Sequence, residues 1–65
     1  MLSSVVAAMH YNEHEEMLTI IFNTGAVYEY LHVPPGVYSQ MKTFPSKGTF
    51  LNTRIKGRYA FKKIK

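Results

Sequence analysis

Two histidines four residues apart stand among three glutamates in the run His10-Tyr11-Asn12-Glu13-His14-Glu15-Glu16. On a helix that spacing would bring both imidazoles to one face, where they could hold a metal ion. The surrounding pattern is instead that of a strand followed by a loop, so the spacing loses its geometric meaning. Three glutamates in a hairpin loop are ordinarily solvated. His32, beside Val33-Pro34, reads as a partly exposed strand residue rather than a base. The chain contains no nucleophile motif, P-loop or dinucleotide fingerprint, and Ser46-Lys47-Gly48 reads as a cap and a turn. No enzymatic activity, metal or cofactor is expected.

The basic end is the stronger signal. Arg54, Lys56, Arg58, Lys62, Lys63 and Lys65 fall within twelve residues, interleaved with Tyr59 and Phe61. Cations beside aromatic rings suit single-stranded nucleic acid: the cations neutralise phosphates and release counterions, while rings stack on bases whatever the sequence. On a four-stranded sheet, exposed aromatics would point to RNA in particular. The plainer reading puts Tyr59 and Phe61 in the core and leaves the lysines to solubilise an edge and a terminus. Both readings stay open on composition alone.

A third feature is Tyr28-Glu29-Tyr30. In a strand the two rings share one sheet face and Glu29 takes the other. The rings either form a stacking platform or pack beneath helices with their hydroxyls at the rim, and a small core favours packing. Glu29 is the expected intramolecular partner for one of the C-terminal bases.

The elements that position these residues follow from periodicity. Val5 to Tyr11 reads as a strand, residues 12–16 as a polar hairpin loop, and Met17 to Phe22 as a second strand. Asn23-Thr24-Gly25-Ala26 supplies a turn, with Gly25 best able to take positive φ. Val27 to Val33 completes a three-stranded antiparallel meander. Pro34-Pro35 ends that strand and suits the first turn of a helix. Val37, Met41 and Phe44 then fall at helical spacing, and Pro45 limits the helix to about residues 35–43. Ser46 is the N-cap candidate of a second helix running to about Ile55, with Gly57 placed to terminate it. Arg54 lies within its apolar arc, near Phe50, so its guanidinium is expected to be half-covered. Arg58 to Ile64 alternates as a last strand at a sheet edge. The order β-β-β-α-α-β, with two short helices covering the meander, predicts a small two-layer α+β domain.

Length and charge bound these readings. At 65 residues and 7.5 kDa the chain is one domain, 1–65, with one small core. It has no cysteine, which excludes disulfide staples and thiolate metal sites. The net charge of +4 hides a division. Residues 1–41 hold every acid and no Lys or Arg, a total of −4; residues 42–65 hold every base and no acid, a total of +8. The apolar start, Met1 to Met9, is too short for a signal sequence, and no run is long enough to span a bilayer. A cytoplasmic location, no membrane partner and a monomeric state are therefore expected.

A series of residues also resembles a known family. Tyr11, the hairpin, Tyr28-Glu29-Tyr30 followed by Val33-Pro34, Ser46-x-Gly48 with Phe50 and Asn52, then Ile55-Lys56 and Tyr59-x-Phe61 are similar to the KTSC domain. This short module occurs at the C-terminus of some lysyl-tRNA synthetases and as free-standing small bacterial proteins. The resemblance spans essentially the whole chain and implies a small α+β module without enzymatic activity, for which RNA binding is suggested by the association with the synthetase. Asn12 stands where the family often has Asp, Lys56 where it usually has Arg, and Phe44 where a small residue is common. Lysine keeps the charge at position 56 but loses the bidentate fork.

Together these features predict a non-catalytic binding module for RNA or single-stranded nucleic acid. Its site would comprise Arg54, Lys56, Arg58, Tyr59, Lys62 and Lys63, with Tyr28 and Tyr30 stacking if exposed. The alternative is a protein-interaction module, self-associating through an edge strand or meeting a basic partner with its acidic half.

Overall fold

The computed structural model describes residues 6–65 of the chain, so the predicted strand start at Val5 and the first four residues lie outside it. Strand β1 runs Val6–Asn12, β2 Met17–Phe22 and β3 Val27–Tyr30. Helix α1 follows at Pro35–Thr43, then α2 at Lys47–Phe50, which passes directly into a π-helical turn, Leu51–Ile55. Strand β4, Phe61–Lys63, closes the order. The four strands form one antiparallel sheet in the order β1-β2-β3-β4, so β4 is an edge strand, as its alternation implied.

Local chemistry accounts for most boundaries. Gly25 adopts φ 96° in the β2–β3 turn, where a side chain would be strained. Pro35 opens α1, and Phe44 takes extended geometry before Pro45 as its Cδ demands. The Ser46 Oγ accepts the Thr49 N–H at 3.2 Å, so the predicted N-cap is formed. Lys47 Nζ donates to the carbonyls of Lys42 and Phe44, which ties the end of α1 to the start of α2. Gly57 has φ 80° and ends the helical segment.

Three boundaries differ from the periodicity. β3 stops at Tyr30 rather than Val33, because His32 takes a left-handed φ of 58° and turns the chain. The Val33 N–H then donates to the Glu16 carbonyl at 2.8 Å, back at the first hairpin. The second helix is not α-helical to Ile55. The Thr53 hydroxyl takes the Thr49 carbonyl at 2.7 Å, competing with the usual amide donor, and the Lys56 N–H reaches Leu51 five residues back. Finally, β4 starts at Phe61 and not Arg58. The N–H groups of Arg58 and Tyr59 both cap the Ile55 carbonyl and so are unavailable to a sheet ladder.

The core lies between the sheet and the helices. Leu18, Ile20 and Tyr30 from the strands meet Met41, Phe50, Leu51 and Ile55, with Val33 closing one end. Tyr11 packs at the margin, its ring stacked on Tyr38 at 4.9 Å and its hydroxyl donating to the Val33 carbonyl. Of the nine aromatics Tyr30 and Phe50 are fully buried, six more pack partly buried against the core, and Phe61 is exposed.

Candidate nucleic-acid interface

The register fixes which residues share a face. Tyr11, Leu18, Tyr30 and Phe61 form one row across the sheet, and Met9, Ile20, Tyr28 and Lys63 the next, all on the side that carries the helices. Between them His10, Thr19, Glu29 and Lys62 form a row on the opposite, uncovered side. That open side presents no Phe or Tyr among the described residues. An aromatic platform on an open sheet, the usual geometry for stacking RNA bases, is therefore not how these rings are arranged.

The rings gather instead where the helix layer stops short of the sheet's end. A recess of about 450 Å³ opens there, walled by Phe22, Tyr28, Tyr30 and Phe61 with Lys56 and Gly57 at its lip. Phe22 meets Tyr28 edge-on at 5.5 Å, and Phe61 lies tilted over Tyr28 and Tyr30 at 5.4 and 5.6 Å. Phe61 keeps 54 % of its area in water. Tyr28 is half-buried, with one part of its ring facing the recess. Tyr30, by contrast, is 2 % exposed and belongs to the core, so it has no free face for a base. Of the two tyrosines expected to stack if exposed, Tyr28 alone is accessible. Burial, and then the neighbouring Tyr28, raise the Tyr30 phenol above its ordinary pKa.

The basic residues do not form the single strip that their sequence suggested. Adjacent strand residues point to opposite faces, so Lys62 is set across from Glu29 on the open side while Lys63 lies beside Tyr28. Lys62 is thus the base set opposite Glu29 in the ladder, and it stands away from the rings. Lys56 faces the aromatic recess. Arg54 and Arg58 line a second recess, of about 330 Å³, with Tyr59, Gln40, Val37 and Phe50. The Arg54 guanidinium sits over the rings of Phe44 and Phe50 at 5.9 and 5.6 Å, near Phe50 as its helical position required, although the residue as a whole is exposed. Tyr59 is half-buried and packs against the core.

Phe61 is the residue that sequence reasoning misplaced. It alternates with Tyr59 and Lys63, and one of the two readings put it in the core, but the helices do not reach over the edge strand that carries it. Its edge position was the available signal. The histidine–glutamate patch separates: His10 is on β1, while His14, Glu13, Glu15 and Glu16 are in the exposed turn after it. Among the described residues no group of three or more such side chains could hold a metal ion. No helix among them is long and apolar enough to cross a membrane.

Known proteins share this architecture. A crystal structure of a KTSC domain protein from Yersinia pestis superposes with a TM-score of 0.90 at 32% identity, covering 98% of this chain and 92% of that one. A protein from Tsukamurella paurometabola is 37% identical over 57 residues, 88% of this chain and 85% of its own. A lysine–tRNA ligase of Nostoc punctiforme is 41% identical over 61 residues, which make up 94% of this chain and 11% of the ligase. The chain thus corresponds to a small part of the ligases it matches. With residues 2–59 matching the family's own pattern, and with a KTSC domain crystal structure superposing over nearly the whole chain, the chain belongs to the KTSC domain family.

Proposed function

We propose that this domain is a non-catalytic module binding RNA or another single-stranded nucleic acid, with one base received in the recess that Tyr28 and Phe61 wall. The observation that carries this reading is an exposed Phe61 ring held beside an accessible Tyr28, with Lys56 at the lip of the same recess. Exposing a phenylalanine costs a small domain apolar burial that it can ill spare. A stacked base would cover the ring, and Lys56 and Lys63 would meet the flanking phosphates. The match to part of lysine–tRNA ligases supports an RNA ligand, because those proteins' names state that they act on tRNA. A single strand suits the site better than a duplex, since a base must leave its stack to enter.

An NMR titration with short single-stranded RNA at low salt tests this. Shifts should concentrate at Tyr28, Lys56 and residues 61–63, and affinity should fall steeply as salt rises. No movement of these resonances would remove the reading.

A second reading, a protein-interaction module, has its own observation. Ala8, Ile21, Val27 and Ile64 make an apolar row on the open sheet face, with Ile64 50 % exposed. Sedimentation at high concentration and low salt tests its self-associating form; a monomer would remove that form.

A further inference from the structure

The recess around Arg54 and Arg58 differs in chemistry from the aromatic one, and the segment 54–59 divides them. Lys56 and Gly57 face one recess; Arg54, Arg58 and Tyr59 face the other. We infer that the Arg54–Arg58 recess is a site for a phosphate monoester, the terminal phosphate of a single strand whose neighbouring base occupies the aromatic recess. This assignment rests on the binding reading above for the identity of the strand, but not for the anion chemistry.

Three observations lead to it. First, two guanidinium groups border one recess, and none of its lining residues is acidic. Arginine presents a rigid fork of N–H donors, and two forks can engage a group with three terminal oxygens more fully than a carboxylate with two. Second, Arg54 has a preferred position. Its guanidinium lies over Phe44 and Phe50, which meet edge-on at 5.2 Å, so the rings favour a placement at the recess. Third, the recess is backed by Val37 and Phe50 and flanked by Gln40 and Tyr59, whose amide and hydroxyl are neutral hydrogen-bonding groups.

Three of the other bases are placed elsewhere. Lys42 lies over the Tyr38 ring at 5.3 Å, Lys47 donates to the carbonyls of Lys42 and Phe44, and Lys62 is set opposite Glu29 in the ladder.

The test compares one short RNA carrying a 5′-phosphate, a 3′-phosphate or hydroxyls at both ends, read by anisotropy and by the side-chain Nε–H resonances of Arg54 and Arg58. Phenyl phosphate and dimethyl phosphate probe the anion site alone. One phosphorylated end should bind about tenfold tighter than the hydroxyl strand. Phenyl phosphate should shift both arginine signals where dimethyl phosphate does not. Arg54→Lys, which keeps the charge and loses the fork, should abolish the preference without unfolding the domain. Equal affinity of all three strands, with shifts still present at Tyr28 and Phe61, would overturn the phosphate site and leave the nucleic-acid reading standing. Phenyl phosphate shifts with no RNA binding would uphold the anion site and remove that reading. Equal or tighter binding of a phosphoserine peptide would overturn the assignment to a nucleic-acid end.

Discussion

Phe61→Ala should separate ligand binding from folding, because the ring is large, exposed and set against only one side of the core. Fully burying a phenylalanine stabilises by about 1.5–3 kcal/mol, and Phe61 leaves 54 % of its area in water. Roughly half of that value, with a few tenths from its tilted contacts with Tyr28 and Tyr30, gives a cost of about 1–2 kcal/mol. A 65-residue domain has about 3–10 kcal/mol in total, so the variant stays folded. Tyr30→Ala, at 2 % exposure, should instead cost about 3–5 kcal/mol and threaten the fold. On the binding side, loss of one stacking ring removes about 1–3 kcal/mol per base, which weakens affinity about 5- to 150-fold. Urea denaturation supplies the first quantity, and anisotropy with labelled single-stranded RNA at fixed low salt the second. Phe61→Leu serves as the control for packing, since it retains apolar bulk but offers no π face. The reasoning fails if Phe61→Ala and Phe61→Leu both fold and bind as tightly as the parent.

Lys62 and Lys63 give a contrast between neighbours: Lys63→Ala should reduce the slope of log affinity against log salt by about 0.7, while Lys62→Ala leaves it unchanged. Salt titrations of both variants check this, and equal effects would contradict the two-faced placement. Ser46→Ala should destabilise by about 1 kcal/mol through loss of the Oγ contact to the Thr49 N–H, lowering the urea midpoint without changing the m-value. Stability should also fall at alkaline pH. The Tyr30 phenol is raised by burial and by Tyr28, and that of Tyr11 by burial and then by Glu16 and Glu13. A raised phenol means that above its unfolded value the unfolded chain has released a proton the native chain still holds, so stability is complete below about pH 10 and is lost as pH rises through the folded value. Urea midpoints at about pH 8 and about pH 11 should differ less in Tyr30→Phe than in the parent.

Punctuation by proline and glycine made much of the fold legible. Pro34-Pro35 and Pro45 bracket α1 at the residues where it occurs, and Gly25 and Gly57 take the positive φ their positions implied. The early end of β3 was not legible. Nothing in Leu31-His32-Val33 announces that a histidine will turn left-handed, because the gain comes from a distant contact, Val33 to Glu16. The π-helical turn was hidden for a related reason. Phe50, Leu51 and Ile55 suit either helix type, and the choice depends on whether the Lys56 N–H bonds four residues back, to Asn52, or five back, to Leu51, as it does. At the site, the period-two pattern placed Tyr28 and Tyr30 on one face correctly. It could not say that the helices cover Tyr30 and stop before Tyr28, which is a property of how far one layer extends over another.

That extent follows from dimensions. Four strands at about 4.8 Å spacing make a sheet nearly 20 Å wide. β1 and β2 run about 20 Å along their length, whereas nine helical residues rise only about 13 Å. α1 has nine residues and the α2–π segment nine more, so two short helices cannot cover every inner residue of the sheet. The uncovered corner falls beside β4, since the chain must leave the helix layer after Ile55 and descend to the sheet edge at Phe61. The residues making that descent are Lys56, Gly57 and Arg58, taken from the half of the sequence that holds every base. Sequence asymmetry becomes spatial asymmetry for this reason: the acids of the first hairpin are exposed in its turn, while the cationic segment crosses the corner where the rings are left bare. Packing demands alone would have favoured an apolar residue at 56 to close the gap beside Phe61. Lys56 leaves it open and charges its lip, an arrangement that lowers the burial available to the fold and that the proposed planar, anionic ligand would use.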